Sequence, residues 1–500
     1  MAVVPLFSFF AFILPFGGFS LPLGLPPLPE DPAISRAAPE ECLAYLSWAG
    51  TAVPDSKSAN QTEQLLAEPE VQKLLSAIDS AVTTGIRKNA RPGSDEAEIV
   101  KNVYPLAKTL LMRPAAIFLS KVEVSPQGPP NVQGGAIFNL AEKTASAGET
   151  LERLEKLLPP GAVEKVEIAA EPFHQIKAGP ILVTWGVHDK YLIVGVGEGA
   201  MEGILNRAKG QPTAWLAAIH KQMPVGRQST LSYFNVKQTV AQFAPLGGPK
   251  LEKVLDATGL RNVSYLASIT GLDSKGTIAR SLVAIDGEPQ GVFRLGAANP
   301  LAAADLSPIP RDATIAAAGR FDANAALELL LSQSETIDPS ARKEIRRGIG
   351  EMERALDIDL QDDLLKPLGD VWCVYNSPAE GGLLVTGLTG VVQVKDYDRL
   401  EATLNKLVTL FHDRVEGEVH SYSPHGTPRI VKTALAGRVI YHFDIAEHDF
   451  PLAPAWCLTE KELIVSTFPQ NIKSYLSRGK DFQSLSALPE LAEALGKGNA

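Results

Sequence analysis

Histidine is the residue type in this chain that comes nearest to chemistry by number and placement. Five of the eight histidines fall within 412–448: His412, His420, His425, His442 and His448. Asp413, Asp444 and Asp449 lie among them. Imidazole and carboxylate together suit zinc or another transition metal. His442 and Asp444 stand two residues apart, so on a strand both project to the same side. His442, Asp444 and His448 are therefore the candidate metal ligands, and a metal-dependent enzyme built on 412–449 is one reading of the chain. Against it, HExxH and comparable ligand spacings are missing, and an inserted surface hairpin carries polar residues without needing a metal.

A second candidate is rich in glycine. Gly195-Val196-Gly197-Glu198-Gly199-Ala200 fits G-x-G-x-x-A between an expected strand and an expected helix, which is the setting of a dinucleotide fingerprint. The strand before it reads as the second arm of a tight hairpin, whereas that fingerprint needs the first strand of a parallel βαβ unit. The glycines are therefore read as structural, and no cofactor is expected. Cys42, Cys373 and Cys457 are too widely spaced for a metal pattern and read as buried free thiols. Nucleophile-elbow, Walker A and CxxC motifs are also absent from the sequence.

The elements that must position these residues are organised by a repeat. Trp185–Lys209 recurs without a gap at Trp456–Lys480, an offset of 271 residues, with 8 of 25 positions identical. Each copy reads as a hairpin followed by a helix. Met201, Ile204, Leu205 and Ala208 form one apolar stripe, and Ile472, Tyr475, Leu476 and Gly479 occupy the same positions in the echo. Trp185 and Trp456 open matched strands and read as core anchors, though either suits the wall of a ligand groove. Upstream, Thr150–Leu158 (TLERLEKLL) answers Thr403–Phe411 (TLNKLVTLF) at an offset of 253. Eighteen residues are thus added within 412–455, where they are expected to lengthen the histidine-bearing strands and turns.

The expected architecture is α+β: two related units in tandem, mainly antiparallel sheets with helices packed on one face. The first unit spans 36–295, with extra strands at 228–295 that include Gly291–Leu295. A linker covers 296–310, and the second unit covers 311–500. Composition agrees with a globular chain, at 45% apolar and 21% charged residues. A net charge of −10 disfavours a broad phosphate-binding surface, and aromatic residues at 7% are not interleaved with basic runs. Nucleic acid is not an expected partner.

Ala2–Pro29 holds no charged residue and includes the run LFSFFAFIL. Residues 1–29 are therefore expected to be a signal peptide or membrane anchor, although Pro5, Pro15, Pro22, Pro26 and Pro27 weigh against a spanning helix. This places the protein outside the cytoplasm, in the periplasm or cell envelope, with envelope or membrane association through the N-terminus.

Met352–Tyr375 reads MERALDIDLQDDLLKPLGDVWCVY: a helix end, an Asp-rich step, a leucine-rich turn and an apolar strand. Together with Leu463–Arg478, this resembles a family of uncharacterised bacterial exported proteins classed as a domain of unknown function. The resemblance implies an extracytoplasmic setting and brings no catalytic residues. Asp357, Asp359, Asp362 and Asp363 lack the central glycine and terminal glutamate of a calcium loop and read as helix caps. The expected function is a non-catalytic exported protein that acts by binding or as part of the envelope. A metal-dependent enzyme, or a small-ligand carrier with a pocket between the repeats, is the alternative.

Overall fold

Alternating apolar residues and frequent turn signals build two antiparallel sheets in a computed structural model. It describes residues 24–89, 95–123, 131–296, 300–381, 384–418, 429–444, 452–489, 491 and 495. Two units form. One comprises residues 1–248 and 260–288, and the other 249–259 and 289–500. Helix Gly248–Thr258, apart from its first residue, thus groups with the second unit.

The first sheet contains β1 (Ala44–Trp48), β2 (Ala115–Glu123), β3 (Asn131–Asn139), β4 (Glu164–Ile168), β5 (Glu171–Ala178), β6 (Ile181–His188), β7 (Tyr191–Val196), β8 (Arg227–Phe234), β9 (Val263–Leu272) and β10 (Thr277–Ile285). Its order is β10-β9-β8-β1-β2-β3-β7-β6-β5-β4. The second sheet contains β11 (Ile315–Arg320), β12 (Leu368–Asn376), β13 (Leu388–Val394), β14 (Arg429–Leu435), β15 (Arg438–Asp444), β16 (Ala455–Leu458) and β17 (Glu462–Ser466). Its order is β11-β12-β13-β17-β16-β15-β14. The order of β1 to β7 within the first sheet is the same.

Register agrees as well. Ile137 pairs with Ile193 and Ile193 with Gly186, while Val391 pairs with Ile464 and Ile464 with Cys457. One arginine contact also recurs at the 271-residue offset. Arg207 Nε donates to the Ala37 carbonyl at 3.0 Å, and Arg478 Nη1 donates to the Pro308 carbonyl at 2.8 Å. Each guanidinium also lies against an aromatic ring at matching register, Phe118 and Tyr375 respectively.

Helices cover both faces of each sheet, not one. Along β7, Ile193 packs with Ile204 and Leu205 of helix Ala200–Ala208, while Leu192 packs with Ala147 and Leu151 of helix Thr144–Glu155. In the second sheet Ile464 packs with Ile472, and Leu463 lies on the opposite side with Leu400 and Leu404. A sheet buried on both faces needs apolar residues at successive positions, and the run Tyr191-Leu192-Ile193-Val194 supplies them.

Two further expectations are corrected. Gly291–Leu295 forms a 3₁₀ turn, not a strand. Gly291 has φ +55°, and a Cβ there would lie 2.1 Å from the Thr258 carbonyl carbon, so the close approach needs glycine. The added residues of the second unit do not lengthen the histidine-bearing strands. The offset is 253 at Thr150 and Thr403, 267 at His174 and Tyr441, and 271 at Trp185 and Trp456. Most of the addition therefore precedes β14, where helix Tyr397–Glu418 is longer than Thr144–Glu155. Near the start of the described chain, residues 24–29 pack on the first unit. The Pro26 carbonyl accepts from the Ala52 amide at 2.7 Å, and Pro27 bridges to Thr51.

Candidate functional site

Two of the three candidate metal ligands, His442 and Asp444, are among the described residues. His442 and Asp444 share one face of β15, between Val431 of β14 and Ala455 of β16. Tyr441 and Phe443 take the other face, toward helix Tyr397–Glu418. The Tyr441 hydroxyl donates to Asn405 Oδ1 at 3.0 Å, and Phe443 meets Phe411 edge-on at 5.5 Å. His412 follows Phe411 on that helix, so it and His442 belong to opposite faces of the sheet. His442 Nδ1 is buried without a hydrogen-bond partner, and Asp444 is exposed. Among the described residues, His, Cys, Asp and Glu nowhere form a group of three placed to hold a metal. His420, His425, His448 and Asp449 lie outside the described residues.

The glycine motif serves the turn into a helix. β7 pairs antiparallel with both β3 and β6, so the parallel βαβ setting of a dinucleotide site is missing there. Gly197 has φ +94°, and a Cβ would lie 2.6 Å from the Val132 carbonyl oxygen. The Asp cluster caps. Asp359 Oδ1 accepts from the Asp362 amide at 2.7 Å, and Asp363 Oδ2 accepts from the Asp359 amide at 2.8 Å. All three cysteines are free and buried, and burial pushes the Cys373 and Cys457 thiols up to about 11. A neutral thiol is a poor nucleophile.

The sequence reading missed a cleft of about 410 Å³ in the first unit. Helix Thr144–Glu155 and the residues after it form one wall with Leu151, Leu154, Leu157 and Leu158; β6 and β7 form the other with Val183, Trp185, Leu192 and Val194. Leu157 and Leu158 remain exposed at its rim. Among the described residues, Glu155 is the one charged side chain lining the cleft. Trp185 Nε1 donates to Glu155 Oε1 at 3.1 Å. His174 Nδ1 lies 2.9 Å from the same oxygen without making a hydrogen bond to it. The His174 ring stacks on Trp185.

The matching place in the second unit is filled. Register sets His174 against Tyr441, Ile176 against Phe443 and Trp185 against Trp456. Helix alignment sets Glu155 against Val408 and Leu158 against Phe411. There Tyr441 stacks on Trp456 at 5.3 Å, Phe443 lies 5.6 Å from Trp456, and Val408 is buried. The larger rings occupy what the first unit leaves open. A signal for this was present in the sequence: Glu155 interrupts the stripe 151, 154, 155, 158, where Val408 continues it.

A larger cavity of about 670 Å³ lies between Pro27–Ser35 and β1. Two of its charged groups are already paired, while His220 Nε2 is buried there without a hydrogen-bond partner. Arg227 bonds Glu63, and Asp31 accepts from Tyr191 and Asn139. The smaller cleft is the better candidate because its chemistry differs from that of its counterpart. No protein-family model, curated protein or solved structure matches the chain. Among the described residues, no helix is long and apolar enough to cross a membrane.

Proposed function

We propose that this is a non-catalytic, exported binding protein, with two units derived from one ancestral α+β unit and a small apolar ligand held in the cleft of the first. One observation carries the reading. The cleft stays open in the first unit, with a charged residue on its wall, where Tyr441, Phe443 and Phe411 fill the second. An apolar concavity with few polar groups is the usual form of a small-molecule site. The shared strand order, the shared register and the arginine contact support common descent of the two units. Export rests on the uncharged segment Ala2–Pro29.

The test is titration with the neutral fluorophore N-phenyl-1-naphthylamine. Wild type is expected to bind it with increased emission, and His174→Tyr/Ile176→Phe/Leu158→Phe, which carries the residues of the second unit, is expected to lose most of that binding. Equal binding by both proteins, or none by wild type, rejects the cleft. Intact mass from separated cell fractions tests export independently. A full-length species confined to the cytoplasm rejects that part.

A further inference from the structure

Resting on the cleft reading, we infer that the ligand is an apolar amine: a hydrocarbon body in the cleft with a protonated nitrogen at Glu155. A carboxylate only accepts hydrogen bonds. Trp185 and His174 both address Oε1 of Glu155, and among the described residues no donor reaches Oε2. Glu155 is largely shielded, its side chain 18% exposed. A ligand that covers it removes most of its remaining water, and burying Oε2 without a donor of its own is costly. An anionic head would add repulsion at short range in a low-dielectric wall. An alcohol would supply one neutral bond. A protonated amine supplies both the donor and the opposite charge, and charge-assisted hydrogen bonds are about twice as strong as neutral ones.

The placement of Glu155 supports the same conclusion. It ends helix Thr144–Glu155, whose C-terminal end carries partial negative charge. A cation there meets the carboxylate and the helix terminus. Val408 in the second unit offers no such acceptor.

The experiment displaces N-phenyl-1-naphthylamine from wild type with decylamine, decanol and decanoate, all kept below micelle formation. Decylamine is expected to displace it at a concentration at least about tenfold lower than decanoate, with decanol between. In Glu155→Gln, the amine is expected to lose its advantage while decanol keeps its affinity. If decanol or decanoate matches decylamine in wild type, the head-group inference is overturned and the cleft survives. If wild type binds neither fluorophore nor chain compounds, the cleft reading falls and takes this inference with it.

Discussion

At the scale of single residues, Glu155 is in a place that stability alone does not favour. A carboxylate at a helix C-terminus meets the negative end of the helix, an unfavourable contact of about 0.3–1 kcal/mol at exposed positions. It also breaks an apolar stripe that Leu151, Leu154 and Leu158 otherwise continue. Glu155→Leu is therefore expected to raise the urea midpoint of the first unit while removing the preference for an amine. A lower midpoint would mean that the Trp185 and His174 contacts outweigh the dipole. Arg478 presents the opposite case. Its Nε donates to Glu380 Oε1 at 2.6 Å and its Nη2 to the Tyr375 hydroxyl at 2.9 Å, between the rings of Tyr475 and Phe482. Both charged side chains are nearly buried, at 13% and 10% exposure. Removing one partner strands the other, so Glu380→Ala is expected to cost about 3 kcal/mol in chemical unfolding. A loss below about 1 kcal/mol would show that water reaches Arg478.

At the scale of elements, the first turn of helix Gln61–Ala67 shows how a surface helix is fixed to a distant hairpin. Its cap, Asn60, accepts from the Glu63 amide, and its side-chain amide donates to the carbonyls of Asp273 and Gly276 in the β9–β10 turn. Glu63 then takes Arg227 of β8 at 2.5 Å. That hydrogen bond holds the Glu63 carboxyl below the usual carboxylate range. A depressed carboxylate pKa stabilises fully above the unfolded value, about 4.3 for glutamate, and the contribution is lost as pH falls through the folded value. Urea midpoints of wild type and Arg227→Met should therefore differ most near about pH 6 and converge toward about pH 3. A gap independent of pH would assign the loss to packing of the arginine stem. Strand positions were largely readable, because alternation and turn residues speak locally. The second helical layer was not, because Tyr191-Leu192-Ile193-Val194 states burial without saying what covers each side. Gly291–Leu295 misled for a related reason: the apolar run resembles a strand, while the close approach of Gly291 to Thr258 is not local in sequence. The cleft was invisible as space, and Trp185 as a candidate groove wall and the mismatch of Glu155 with Val408 were its only traces.

At the scale of the whole molecule, each unit has its own apolar centre. Phe118, Ile137, Ile193 and Ile204 belong to that of the first, and Val391, Ile440, Ile464 and Ile472 to that of the second. Units with separate cores are expected to unfold as separate cooperative steps when their intrinsic stabilities differ. Scanning calorimetry should then resolve two transitions. Glu380→Ala should lower only the one belonging to the second unit, because every group it strands lies there. Decylamine should raise only the other, by mass action on the folded first unit. A single transition displaced by both changes would make the pair one cooperative body. The amine and the buried arginine would then act on one stability.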